Sequence, residues 1–217
     1  MRILERRQRI AGFTLVEAVI SLSILTILFA SAVTAVDSAK GTSDQAVNRS
    51  VLTAKTGHVL SEITDLLRSA GADSLASVPL SPSSIAELDF RQATGISNQA
   101  LVWTDSMVIR LEYMPGETNN GIDDNGDGFV DECRIVRVEN PGTPDETILV
   151  LGTQVSEFYE GESPNLNDDN GNGLIDERGL CFYRTEDLIT ILVTLLRRDS
   201  QGRVETRSSM TTIAVRN

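Results

Sequence analysis

The segment GFTLVEAVISLSILTILFASAVTAV (residues 12–36) decides the fold, because it is an almost uninterrupted apolar stretch near the N-terminus. A helix rises about 1.5 Å per residue, so roughly 20 apolar residues are enough to cross a bilayer core. A basic segment, MRILERRQRI (residues 1–10), precedes the stretch, and Asp37 and Lys40 end it. Because basic flanks stay in the cytoplasm, the sequence predicts a transmembrane helix over residues 13–36 with its N-terminus inside.

One charged side chain, Glu17, lies inside this apolar stretch. A lone carboxylate in lipid is costly and has to be protonated or paired, so an ionisable residue there indicates a function. The alternative interpretation is a plain signal anchor whose glutamate reaches the headgroup level. No small-residue cleavage site of an ordinary signal peptide follows Val36, so we expect the helix to stay attached to the chain.

The basic leader, Gly12, Phe13 and Glu17 together resemble the class III signal of type IV pilins and of type II secretion pseudopilins. This resemblance implies that a prepilin peptidase removes the leader, residues 1–12, and methylates the new N-terminal Phe13. It also implies that Glu17 acts in assembly by meeting the Phe13 amine of a neighbouring subunit. The implied location is the inner membrane, crossed once with a periplasmic head, and then a periplasmic or extracellular filament.

Residues 37–70 continue the helical pattern beyond the predicted membrane segment. Apolar residues recur there at three- and four-residue spacings, which is typical of a helix that packs one face on a core. The apolar positions are Val47, Val51, Leu52, Val59, Leu60, Ile63, Leu66 and Leu67. We therefore expect an amphipathic helix that continues into the head, which is also the architecture that the pilin resemblance implies.

Residues 71–217 form the predicted head, which is rich in β-strand patterns. Six segments are β-branched, often alternate in polarity, and are separated by turn residues. They are ELDFRQ (87–92), SMVIRLEYM (106–114), CRIVRVE (133–139), TILVLGTQVSEFYE (147–160), LITILVTLLRR (188–198) and VETRSSMTTIAV (204–215). The sequence thus predicts an α+β fold, in which the long N-terminal helix packs on an antiparallel β-sheet head.

Two acidic segments in the head repeat each other: NGIDDNGDGFVDE (residues 120–132) and NLNDDNGNGLIDE (residues 165–177). They align without a gap and share the same residue at eight of thirteen positions. Oxygen-bearing side chains at alternate positions, followed by a glycine and a main-chain carbonyl, resemble the calcium loop of an EF-hand. The alternative is a pair of solvated acidic turns, because Asn, Asp and Gly also favour turns by themselves.

The calcium interpretation predicts two structural Ca2+ sites with six ligands each. The predicted ligands are Asp123, Asn125, Asp127, the Phe129 carbonyl, Asp131 and Glu132 in the first loop, and Asp168, Asn170, Asn172, the Leu174 carbonyl, Asp176 and Glu177 in the second. The twelfth position of each loop holds Arg134 or Gly179 instead of the bidentate glutamate of an EF-hand. Closure by the aspartate, by the glutamate after it or by water therefore stays open.

The two cysteines, Cys133 and Cys181, each follow one of these acidic loops. In an exported head they are predicted to form a disulfide that ties the two loop exits together. Two separately buried thiols are the alternative.

The formal charge of −12 argues against a nucleic-acid partner, since an acidic surface repels phosphates. The single histidine and the lack of a serine with a nearby base give no constellation for catalysis, so we expect a protein that is not an enzyme. The resemblance implies a minor subunit, most similar to J-type pseudopilins or W-type minor pilins, that initiates assembly at or near a filament tip. Its implied partners are major and minor pilin subunits, the prepilin peptidase and an inner-membrane assembly platform. A calcium-dependent adhesion or substrate-binding module displayed on a pilus is the alternative function.

Overall fold

The computed structural model describes residues 14–199 and 201–214, so the predicted processing residues Gly12 and Phe13 lie outside the described residues. The described elements are α1 (Leu15–Arg68), α2 (Ala72–Leu75), β1 (Glu87–Phe90), β2 (Ala93–Ser97), β3 (Ala100–Trp103), β4 (Met107–Tyr113), β5 (Cys133–Glu139), β6 (Thr147–Val155), β7 (Leu180–Thr185), β8 (Leu188–Arg198) and β9 (Val204–Ala214). The chain divides into two compact units, Met1–Gln45 and Ala46–Asn217, and α1 contributes residues to both.

The described part of the first unit is helical and almost entirely exposed. Its side chains are mostly aliphatic, and Leu15 and Phe29 expose 83% and 72% of their surface. Within the described residues, α1 is the one helix with a stretch long and apolar enough to cross a membrane, judged by length and composition. Because an aliphatic surface of this extent is unfavourable in water, these features support the predicted transmembrane segment.

The second unit contains an antiparallel sheet against the second part of α1. The sheet order is β1-β4-β5-β6-β8-β7, β9 also pairs with β8, and β2 and β3 form a separate two-stranded sheet. The predicted α+β fold is confirmed: a long N-terminal helix is followed by an antiparallel sheet of many strands. Residues 140–146 join β5 to β6, and residues 199–203 join β8 to β9.

The core of the second unit lies between α1 and the sheet. From the helix, Leu52, Ile63 and Leu67 are at most 1% exposed, and they belong to the same cluster as Ile135 and Phe182 of the sheet. Each such side chain contributes about 1.5–3 kcal/mol by leaving water. The three- and four-residue spacing of the helical residues therefore reports the face that packs on the sheet.

The sequence patterns do not predict two strand regions, the hairpin of β2 and β3 and the strand β7. In the hairpin of β2 and β3, every residue is exposed, so no polarity alternation marks it. Its two-residue turn holds Asn98 and Gln99 at φ 51° and 63°, which is the backbone region that such tight hairpins require. The other missed strand, β7, is only six residues long and pairs with β8.

The predicted disulfide is not formed: Cys133 and Cys181 are both free and buried. The Cys133 side chain belongs to the core cluster beneath α1, whereas Cys181 packs in a separate small cluster with Leu174 and Leu192. Side chains alternate along a strand, and the two neighbours of Cys181 point into the helix-side core. Cys181 therefore points to the opposite face of the sheet, and the two sulfur atoms cannot meet without a change of register.

A carboxylate, Glu157, connects the two acidic loops through hydrogen bonds. Its Oε1 accepts hydrogen bonds from the Tyr113 hydroxyl at 2.6 Å, from Asn119 Nδ2 at 3.0 Å and from Arg178 Nη1 at 3.1 Å. Asn119 directly precedes the first acidic loop and Arg178 directly follows the second. A polar network on one carboxylate therefore links the entrance of one loop to the exit of the other.

Both thiols are expected to be free and poorly reactive in the native protein. Burial raises the pKa of Cys133 and of Cys181 to about 12, so alkylation at pH 8 is expected to be roughly 1000-fold slower than for an exposed thiol. Titration of the full chain in denaturant without reductant should count two thiols per chain. A count of zero without reductant and two with it would contradict this arrangement.

Candidate cation loops and N-terminal motif

Each acidic loop precedes a strand. The first loop ends directly before β5, and the second ends shortly before β7. In the first loop, the carboxylate of Asp123 accepts hydrogen bonds from the main-chain N–H groups of Gly126 at 2.6 Å and Gly128 at 2.8 Å. In the second loop, Asp168 accepts from the corresponding glycines, at 2.6 Å and 2.8 Å. The sequence repeat is therefore also a repeat of main-chain structure, with one aspartate at the centre of each bend.

The bend needs residues in the left-handed backbone region. Gly128 and Gly173 have φ of 96° and 87°, where a side chain would strain the main chain. Where the first loop has Gly121 at φ 75°, the second has Leu166 at φ 63° with 83% of its surface exposed. The second loop thus reaches the same shape with a less suitable residue.

At alternate positions of each loop, a side-chain oxygen accepts a hydrogen bond from the main-chain N–H group two residues further on. Asn125 Oδ1 accepts from the Asp127 N–H at 2.9 Å, and Asp127 Oδ1 accepts from the Phe129 N–H at 3.0 Å. Asn170 and Asn172 make the same two contacts in the second loop. The side chains of Phe129 and of its equivalent Leu174 are buried, so each loop is anchored to the body at the residue whose carbonyl is a predicted ligand.

The two aspartates near the loop ends turn away from these side chains. The carboxylate of Asp131 accepts from the main-chain N–H groups of Asn120 at 3.0 Å and Gly121 at 2.8 Å, at the start of its loop. Asp176 does the same at the start of the second loop. Both aspartates have φ of 50°, which directs their side chains backwards.

The glutamates that follow them, Glu132 and Glu177, are fully buried. Each Oε1 accepts a hydrogen bond from an amide of its own loop, Asn125 Nδ2 in the first and Asn172 Nδ2 in the second. Each Oε2 is buried without a hydrogen-bond partner, and among the described residues neither glutamate forms an ion pair. Burial, together with the nearby charges of Asp127 and Glu117, raises the pKa of Glu132.

Sequence reasoning missed one further acid beside each loop, Glu117 for the first and Glu162 for the second. Glu117 accepts from the main-chain N–H groups of Asn125 at 2.8 Å and Asp131 at 3.2 Å. Glu162 accepts from the Asn170 N–H at 2.9 Å. Both glutamates follow a glycine and lie three residues before their loop, so a longer alignment of the repeat would have found them.

The donors in these loops fit a hard divalent cation better than a soft one. They are carboxylate, amide and main-chain oxygens, which calcium prefers, and buried carboxylate oxygens remain unpaired. Within residues 14–199 and 201–214, no three acidic, histidine or cysteine side chains already stand close enough to hold a metal ion together. A cation site here therefore needs the asparagine and carbonyl oxygens as well, as the sequence predicts.

The beginning of α1 contains a reciprocal hydrogen-bond pair between Thr14 and Glu17. The Glu17 N–H donates to Thr14 Oγ1 at 3.2 Å, while the Thr14 N–H donates to Glu17 Oε2 at 3.2 Å. This capping box satisfies main-chain groups that a helix start otherwise leaves unpaired. The T-x-x-E spacing before an apolar run is the sequence signature of such a capping box, with Thr14 at its first position.

The same N-terminal region matches a known family model. Residues 7–33 match the prokaryotic N-terminal methylation motif. This match supports the resemblance of the N-terminal segment to type IV pilins and pseudopilins. Cleavage by a prepilin peptidase and contact with other pilin subunits follow in general terms for a pilin-type chain, and the motif indicates a structural subunit. The apolar helix and the motif are together compatible with membrane anchoring and a filament.

The motif covers the N-terminal segment only and does not identify a pilin subtype. Neither a curated protein nor a solved structure matches the chain significantly. The function of the pilin-type head therefore has to be argued from its own residues.

Proposed function

We propose that this pilin-type chain is a minor pilin or pseudopilin that acts at or near a filament tip, where it helps to initiate assembly. The observation that carries the pilin part of the proposal is the methylation motif at residues 7–33, whose apolar stretch holds a single acid, Glu17, while the minor role at the tip extends the resemblance to J-type and W-type subunits. After cleavage, the new amine at Phe13 is a positive partner for Glu17 of a neighbouring subunit. An unpaired charge in lipid is costly, so this pairing favours assembly and sets the register between helices.

We further propose that two calcium ions stabilise the head, one in each acidic loop. Support comes from the buried Glu132 and Glu177, each of which has an oxygen without a hydrogen-bond partner. Asp123 and Asp127 supply further charge in the first loop, and Asp168 in the second. When bound, calcium would neutralise these clustered acids, and the main chain of each loop already has the bend that such a site needs.

The first test is the intact mass of the protein recovered from membranes of cells with and without the prepilin peptidase. We expect loss of residues 1–12 and gain of one methyl group, only in cells that have the peptidase. An unprocessed N-terminus in both strains would contradict the pilin pathway and would make the chain a signal-anchored protein.

The minor role is tested by deleting the gene and counting filaments. A subunit that initiates assembly should be present in few copies per filament, and its loss should strongly reduce filament number. Unchanged filament number with loss of surface or substrate binding would instead support the alternative, a calcium-dependent adhesion or substrate-binding module on a pilus.

A further inference from the structure

Each loop ends in two consecutive acids, and their side chains point in opposite directions. Both oxygens of Asp131 accept main-chain N–H groups at the start of the first loop, whereas Glu132 faces the middle of the loop through Asn125. The second loop repeats this division between Asp176 and Glu177. From the sequence alone, either acid of each pair could have closed a cation site.

We infer that Glu132 and Glu177 close the two cation sites, whereas Asp131 and Asp176 do not bind the cation and instead brace the loop main chain. This inference rests on the proposed calcium binding, and it assigns the ligand that an EF-hand carries at its twelfth position to the tenth position here. The structure gives a reason for the shift. Arg134, at the twelfth position of the first loop, pairs with Glu112, and Gly179, at that of the second, lies against the Ser156 carbonyl.

The buried glutamates lack hydrogen-bond partners that the neighbouring aspartates have. Glu132 and Glu177 have no exposed surface, and one oxygen of each has no hydrogen-bond partner. A buried charge is expensive unless it is paired or coordinates a metal. Asp131 has both oxygens satisfied by main-chain N–H groups, so it has no comparable need for a cation.

Of the two further glutamates, Glu117 belongs with the bracing residues, whereas Glu162 holds the main chain through one oxygen only. Glu117 holds the N–H groups of Asn125 and Asp131, which lie on either side of the central bend. Glu162 holds the N–H of Asn170 at the same place in the second loop. Both oxygens of Glu117 accept main-chain N–H groups, so we assign Glu117 a positioning role. Glu162 uses only Oε1 in this way and leaves Oε2 buried without a hydrogen-bond partner, so it is a further candidate ligand in the second loop.

The test compares E132Q with D131N in the full chain, purified in detergent, with E177Q and D176N as the matched pair in the second loop. Calcium binding is measured by titration calorimetry, and the unfolding midpoint is measured in chelator and in saturating calcium at equal ionic strength. We expect wild type and D131N to bind two ions with similar affinities, whereas E132Q should bind one ion as wild type does and the ion of the altered loop roughly one to two orders of magnitude more weakly.

The unfolding midpoints should distinguish a residue that binds the cation from a residue that only holds the main chain of the loop. In chelator, E132Q should be at least as stable as wild type, because it removes a buried charge, but its gain from calcium should be smaller. D131N should be less stable in both conditions, because it weakens main-chain contacts, and should keep most of its gain from calcium. The E177Q and D176N pair repeats the measurement independently if a first-loop variant fails to fold.

Loss of one bound ion in D131N, with two ions retained in E132Q, would overturn the inference and leave calcium binding intact. Wild type that binds no calcium and gains no stability from it would overturn the proposed calcium binding itself.

Discussion

Removal of calcium is expected to lower the unfolding midpoint of the head strongly. At free calcium about 1000 times the dissociation constant, each occupied site adds about 4 kcal/mol to the free energy of unfolding. For a chain of this size, each kcal/mol corresponds to about 2–4 °C in midpoint. Two sites should therefore shift the midpoint by more than about 10 °C, because without cations the buried Glu132 and Glu177 lack a counter-charge.

The measurement is thermal unfolding of the full chain in detergent, followed by circular dichroism, in calcium and in chelator. Ionic strength has to be held constant, since salt alone screens repulsion between exposed acids. Magnesium at the same concentration serves as the control, because its smaller octahedral shell suits these loops poorly. Equal midpoints in calcium and chelator would show that the loops are solvated acidic turns.

The substitution Gly179→Ala is expected to destabilise the head by roughly 3 kcal/mol or more. A β-carbon at this position would collide with the main-chain carbonyl of Ser156 and would also lie 3.3 Å from Val155 Cγ1. The main chain cannot easily move away. The Gly179 N–H donates to the Glu157 carbonyl at 2.9 Å, and its own carbonyl accepts from the Thr194 N–H at 2.8 Å.

The matched control is Gly57→Ala in the interior of α1. Apart from its chain neighbours and the nearby backbone of α1, no heavy atom of the described residues lies within 4 Å of the position that its β-carbon would take, and alanine is favoured over glycine in a helix by about 0.5–1 kcal/mol. Chemical denaturation of both variants should therefore give shifts of opposite sign. Similar midpoints for the two variants would mean that the strands around Gly179 relax far more readily than their hydrogen bonds indicate.

The elements that the sequence predicted are those whose patterns reflect burial. Ile63 and Leu67 repeat at helical spacing because they face a sheet, and Ile189 and Ile191 alternate in β8 because one face of that strand lies in the core. The hairpin of β2 and β3 has no buried face, so its polarity pattern carries no signal. Its turn, Asn98-Gln99, also lacks the glycine that usually marks such a turn.

For the acidic loops, the sequence repeat corresponds to a repeated main-chain bend, but it does not predict which way each acid points. The direction of Asp131 depends on its positive φ and on main-chain N–H groups ten and eleven residues earlier, which no local spacing reports. The predicted disulfide does not form in the structure for a related reason. Cys133 and Cys181 both lie near a loop exit, but Cys181 lies between the inward-pointing Leu180 and Phe182 and therefore faces the other side of its strand.

The bracing of the loops also has a kinetic consequence. Asp123 and Glu117 already hold the main chain of the first loop in its bend, and Asp168 and Glu162 do so in the second. For the proposed sites, little rearrangement then precedes capture of an ion, so both loops should load at similar rates, limited by loss of water from the ion. The loop with Asp127 and the loop with Asn172 at the same position should differ in how long they retain the ion. Residence time, rather than loading, would then set which loop is the first to empty when external calcium falls.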